Sequence, residues 1–229
     1  MTCGRNLLIL TAYNKTLEIV GRKVTIRRKI MSLIPEFQLG LWNAWILVIS
    51  SYVVVIGLSS LIIRAFLTNN KKPAGSGRPH KPQLNEQEKK LYNISMVILL
   101  ATLIYTAFLP LKLGTGWFYA GLLIYLLGII VGFTAMINFH TTPADKPITK
   151  GAYRISRNPM YFGNFLIFAG TGIACAAWVL LLLTIVSVIL SDRGVIAEER
   201  WCLEKYGKTY REYMNRTPRW IGIPKSEKK

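Results

Sequence analysis

Long stretches of the chain carry no charge, and their lengths set the expected architecture. No Asp, Glu, Lys or Arg occurs from Leu41 to Ile63, from Leu91 to Leu111, from Leu113 up to Asp145, or from Asn158 to Ser191. A helix crossing the hydrocarbon core needs about 20 apolar residues, so each block holds at least one span. The first span runs from about Leu39 to Ile63 and stops at Arg64; the second covers Ile94 to Pro110 and the third Trp117 to Asn138. The fourth block is too long for one crossing. An unbroken helix from Tyr161 to Ser191 would extend roughly 45 Å at 1.5 Å per residue. It reads as a helical hairpin with Gly170-Thr171-Gly172 at the turn, where two glycines lower helix propensity. The second arm continues as a helix into water over Asp192 to Arg200. The expected fold is all-α: a polytopic membrane protein of about five transmembrane helices, the last two forming a hairpin, with a short amphipathic C-terminal helical tail.

Composition sharpens this picture. Of 229 residues 52% are hydrophobic, yet the formal net charge is +18. A soluble basic protein would spread those charges, whereas here the blocks exclude them. With five spans, the segments after spans one, three and five share a face and hold seven, four and ten positive residues, 21 of the 29 Lys and Arg. That face is expected to be cytoplasmic. Seven positive residues from Arg5 to Lys29 run against the bias. Either they precede the native start, for which Met31-Ser32-Leu33 serves, or they form a basic leader resembling a targeting peptide, although Leu7 to Leu10 is short for a signal core. Cys3, Cys175 and Cys202 have no paired spacing, so neither a disulfide framework nor a metal site is expected. Lys71 to Pro79 is a basic linker rich in Gly, Pro and Ser, expected to face anionic lipid headgroups. No nucleic-acid partner is expected.

The spans contain no ionisable group, which disfavours ion transport. Polar chemistry instead gathers at the helix ends. Between spans three and four, Thr141 to Tyr161 carries Pro143, Pro147 and Gly151 on an irregular path, before Pro159 opens the next helix. Free amides at that helix start, with Arg154 and Arg157 close by, suit an anion; the bland alternative is that these residues are interface anchors. After the last span, Arg200, Glu204, Lys208, Glu212 and Arg216 alternate in sign at four-residue spacing, which fits a solvated helical face broken at Gly207. Glu198 and Glu199 stand at the mouth of the last span, as site residues or as plain partners of Arg193 or Arg200.

His140, Lys150-Gly151-Ala152-Tyr153-Arg154, Arg157-Asn158-Pro159-Met160-Tyr161-Phe162-Gly163, Glu198-Glu199 and Tyr206 to Tyr213 through Pro218-Arg219 occur in this order. Together they resemble the isoprenylcysteine carboxyl methyltransferase and phospholipid methyltransferase superfamily over about residues 117 to 223. Asn158 stands where many relatives carry His, and Ala152 where proline is common, which weakens transfer of the prenylcysteine substrate in particular. Charge and hydropathy divide the chain into a basic leader at 1–38, a first span and linker at 39–90, a core at 91–223 and a basic tail at 224–229, and the resemblance implies that the core is a methyltransferase with its cofactor pocket. It implies S-adenosylmethionine as cofactor and a membrane lipid or lipidated acceptor. Arg157, with Arg154, would hold the cofactor carboxylate, and Glu198 or Glu199 would accept from the ammonium or ribose hydroxyls. Tyr153, Tyr161 and His140 would line the adenosine pocket, with Asn158 among the contacts and Arg157 and Glu199 as the catalytic pair. Two other readings stay open: a membrane reductase using NADPH, and a non-catalytic scaffold.

The side assignment is testable. A cysteine placed between Lys71 and Arg78 should react with impermeant maleimide only after the cell membrane is opened; reaction from outside intact cells would reverse the topology.

Overall fold

A computed structural model of the chain describes residues 15–19, 22–26, 40–66 and 84–222. The expectations for a start at Met31, for the linker from Lys71 to Pro79 and for the tail 224–229 fall outside these residues. The described residues are mostly helical. The exception to the all-α expectation is a strand pair in the leader, β1 (Lys15–Ile19) and β2 (Arg22–Ile26), antiparallel with Lys15 opposite Ile26.

The first apolar block forms α1 (Trp45–Tyr52), a π-helical stretch (Val53–Leu58) and α2 (Ser59–Phe66) as one rod. Then follow α3 (Glu86–Thr106), α4 (Gly116–Thr141), α5 (Pro159–Ala174), α6 (Trp178–Tyr206) and α7 (Lys208–Arg216). Local chemistry fixes the starts. Asn85 caps α3 reciprocally with Glu88, satisfying two otherwise orphaned amides, Thr115 accepts from the Phe118 amide at the start of α4, and Pro159 opens α5 as the sequence implies. Among the described residues three helices are long and apolar enough to cross a membrane: Trp45–Ala65, Gly116–Thr141 and Trp178–Tyr206. The remaining two segments expected to span are less complete. α3 has 21 residues but opens on Glu86, Glu88, Lys89 and Lys90, and α5 has only 16 residues, about 24 Å of helix.

α4 and α5 form the tightest pair. A Cβ on Gly128 would lie 2.7 Å from the Ile167 amide and 2.8 Å from the Gly163 carbonyl, and one on Gly163 would lie 2.8 Å from the Gly132 amide. Gly121 and Gly170 meet in the same way one heptad along, each with the other helix's backbone inside the space a side chain would fill. Without hydrophobic drive inside a bilayer, such close backbone approach is how helices gain packing energy. Tyr125 of α4 then binds the first rod, its hydroxyl donating to Leu47 O at 2.7 Å and lying 2.8 Å from Ser50 Oγ.

This packing corrects the expected turn. Gly170-Thr171-Gly172 lies inside α5 and is buried, because its glycines serve the contact with α4 and α6. The chain breaks later, at Cys175 to Ala177, where Ala176 takes φ +51°. That conformation costs an L-residue roughly 1 kcal/mol or more, and it is stabilised by a buried knot of Ala44, Leu109, Cys175, Ala177 and Leu180. Main-chain bonds from Ala44 to Leu109 O (2.8 Å) and from Lys112 to Ala174 O (3.1 Å) complete that knot.

A glycine that makes room for a backbone and an alanine at positive φ predict opposite outcomes. Gly170→Val should lower the thermal midpoint of the detergent-solubilised protein, at a cost of about 1–3 kcal/mol or more from overpacking. Ala176→Gly should leave that midpoint unchanged or higher.

Candidate functional site

At the end of the bundle opposite the knot, the loop after α4, the start of α5, the second half of α6 and α7 with its following segment converge. Asn158 precedes proline, which bars it from the helical region, and it sits at φ −127°, ψ 55°. That bend turns Arg157 and Asn158 inward, while a single 3-10 turn, Gly151–Arg154, buries Tyr153 and leaves Arg154 exposed. Ser156 locks the bend: its hydroxyl accepts from the Asn158 amide at 3.0 Å and donates to Arg219 O at 3.1 Å. The Arg157 amide donates to Pro218 O at 3.0 Å, so the segment after α7 is laced onto the start of α5.

Glu199 is the centre of the charge network and is 4% exposed. Its Oε1 lies 3.1 Å from Arg157 Nε and accepts from Asn158 Nδ2 at 3.3 Å. Its Oε2 accepts from Arg219 Nη2 at 3.0 Å and from Arg219 Nε at 3.2 Å. Arg219 also lies 3.6 Å from Asp192, and Arg157 Nη1 donates to Met214 O at 3.2 Å. Both Glu199 oxygens are therefore engaged. Glu198 differs, accepting from the Tyr161 hydroxyl at 2.7 Å.

Arg157, Asn158, Tyr161, Glu198 and Glu199 face a cavity of about 540 Å³. Of the residues singled out from the sequence, Tyr153, Arg157, Asn158, Tyr161, Glu198 and Glu199 all line it. His140 and Arg154 do not: the His140 ring packs edge-on against Phe139 at 5.4 Å in the last turn of α4, and Arg154 points to solvent. The simple pairing of Glu198 or Glu199 with Arg193 or Arg200 is also replaced. Arg200 instead forms a two-pronged contact with Glu88 of α3, at 3.0 and 2.9 Å, which holds the Glu88 carboxyl below its usual pKa.

Three contributions were not read from the sequence. Tyr52, Val55 and Ile56, on and beside the π-helical stretch, form one wall, and apolar lettering alone gives no sign of it. Tyr206, Tyr210 and Tyr213 form another; they recur at helical spacing on the side of the tail away from the alternating charges, a stripe that was visible. Gly207, at φ +57°, turns the chain between α6 and α7 so that Tyr210 and Tyr213 face inward. Burial raises both phenol pKa values, so they stay neutral, and Tyr213 donates to Tyr153 O at 2.6 Å. Arg219 is the third contribution.

Among helices that include three long and apolar enough to cross a membrane, a mostly apolar cavity in which buried carboxylates and guanidinium groups meet tyrosines has the size and lining typical of a small-molecule pocket. Residues 111–209, which supply much of its lining, match the phospholipid methyltransferase family model, in accord with the superfamily resemblance of the motifs from Lys150 to Glu199. No curated protein matches the chain.

Removal of the central carboxylate tests the network. Glu199→Gln leaves two guanidinium groups facing each other in a dehydrated site and should destabilise the protein by on the order of 3 kcal/mol. Glu212→Gln, on the exposed face of α7, should be nearly neutral in the same thermal melt.

Proposed function

We propose that the protein is an integral membrane methyltransferase that uses S-adenosylmethionine to methylate a lipid or lipid-linked acceptor, with five membrane crossings and its active site on the cytoplasmic face. The observation that carries this reading is the pairing, in one cavity, of a guanidinium (Arg157) and a carboxylate that, among the described residues, is held by a tyrosine (Glu198). The amino-acid end of the cofactor is a zwitterion and needs one group of each sign. The cavity volume of about 540 Å³ falls within the roughly 300–1,000 Å³ of small-molecule sites. The donor set therefore fits the group.

S-adenosylmethionine supplies a methyl group on a sulfonium, a strong leaving group. The protein's part is then positioning and exclusion of water. Arg157 holds the carboxylate through a charge-assisted fork. Glu198, oriented by Tyr161, accepts from the ammonium or the ribose hydroxyls, whereas Glu199 acts through Arg157 because both its oxygens are already bound. Tyr153, Tyr210 and Tyr213 give flat walls for the adenosine. Val55, Ile56, Met136 and Ile167, drawn from helices of the bundle, provide apolar surface for the acceptor's chain. A carboxylate acceptor reacts as it stands; an amine acceptor must first lose its proton.

Purified protein incubated with methyl-labelled cofactor and a total lipid extract should yield a labelled lipid. Arg157→Ala, Arg157→Lys and Glu198→Gln should each weaken binding of S-adenosylhomocysteine in calorimetry by about 2–5 kcal/mol, the lysine failing because a point charge cannot replace the fork. Protection from proteolysis by reduced nicotinamide nucleotide, with none by S-adenosylhomocysteine, would favour the reductase reading; binding of neither would favour a scaffold.

A further inference from the structure

We propose that Arg219 is a positioning residue of the cofactor site: by occupying one oxygen of Glu199, it leaves Arg157 with a cationic edge for the cofactor carboxylate. The inference rests on the S-adenosylmethionine reading. Residue 219 lies beyond residue 209, where the family-matched segment ends, and it does not line the cavity.

The argument is one of charge balance in a dehydrated place. Two guanidinium groups share one carboxylate, with side-chain exposures of 5% for Glu199 and 10% for Arg157. Arg219 takes Oε2 with two nitrogens, and only Nε of Arg157 faces Oε1. Asp192, at 3.6 Å and 32% exposed, draws on Arg219 from the solvent side. The four groups together are neutral, but because Asp192 answers Arg219 on the solvent side, the cationic edge left over lies on Arg157 where it meets the cavity. Without the Arg219 side chain Glu199 has only Arg157 to answer. The Arg157 fork can then close on both Glu199 oxygens, the geometry this pair prefers, and its outer edge leaves the cavity.

A purely structural role for this side chain predicts something else. The segment Thr217 to Gly222 is also tied by contacts that need no Arg219 side chain: Arg157 N to Pro218 O (3.0 Å), Ser156 Oγ to Arg219 O (3.1 Å) and Asn158 Nδ2 to Arg219 O (3.4 Å). Substitutions at 219 should therefore leave the chain in place. If the residue only anchored the segment, they would shift the melting temperature and leave affinity alone.

The test is calorimetric binding of S-adenosylhomocysteine to the full chain in detergent, with melting temperature recorded without ligand. Arg219→Met should weaken binding about tenfold or more, and Arg219→Lys, which keeps the charge without the fork, should fall between it and the parent. The double variant Arg219→Met/Glu199→Gln should bind more tightly than Arg219→Met, because deleting the carboxylate releases Arg157 again, even though its melting temperature does not recover. Affinity of Arg219→Met within about twofold of the parent, or a double variant no tighter than Arg219→Met, overturns the role of Arg219 while the cofactor reading stands. No binding of S-adenosylhomocysteine to the parent protein overturns the cofactor reading and this inference with it.

Discussion

The seam between α4 and α5 admits no side chain, and the remaining geometry follows from that. Gly121, Gly128 and Gly132 on one helix face Gly163 and Gly170 on the other, so the two backbones touch along nearly the full length of α5. A short helix can be held rigidly only in such a way, since 16 residues offer little area for ordinary interdigitation. Rigidity here has a downstream effect. Pro159 and the bend at Asn158 begin where the seam ends, so Arg157 and Asn158 are delivered to the cavity from a fixed base. Tyr125 extends the same frame to the first rod by binding Leu47 O. That rod brings Tyr52, Val55 and Ile56 to the far wall.

Glu199 does for the polar end what glycine does for the apolar one. Burying a carboxylate is costly unless its oxygens are satisfied, and here three side chains from two distant segments satisfy them. The benefit is orientation. Arg157 comes from the start of α5 and Arg219 from beyond α7, so a single acid on α6 fixes three parts of the chain relative to one another. Glu198, one residue earlier, points about 100° away around the helix and meets Tyr161 instead. Two adjacent acids thus take different tasks because α6 exposes one to the arginines and the other to the cavity.

Much of this was legible in the sequence because charge exclusion is a strong signal. The apolar blocks announced helices at nearly the right places, and the order of Tyr153, Arg157, Asn158, Tyr161, Glu198 and Glu199 announced the residues that the cavity gathers. What failed was the meaning of glycine. Gly170 and Gly172 look like a turn when composition alone is weighed, but a glycine that makes room for a neighbouring backbone has the same lettering as one that lets the chain reverse. Only the partner helix distinguishes them. The actual break falls at Ala176, which carries no turn signature. His140 and Arg154 lie outside the cavity lining because motif order places a residue only near a site: His140 sits in the last turn of α4, and the 3-10 turn at Gly151–Arg154 buries Tyr153 and leaves Arg154 exposed.

The first rod contributes to the cavity although it lies outside the matched segment, and its local winding explains how. Over Val53–Leu58 the helix widens to π geometry, which leaves carbonyls less regularly paired. Ser59 compensates, its hydroxyl donating to Val55 O and Ile56 O. The same widening rotates the side chains that follow relative to those before, so Val55 and Ile56 can face the cavity while Tyr125 still holds Leu47 and Ser50. Gly132 sits opposite, with Val55 methyls 3.5 Å from where its Cβ would be. A regular helix with the same sequence would present a different stripe. The wall that the rod gives the cavity is therefore set by how the rod winds as much as by which apolar residues it contains.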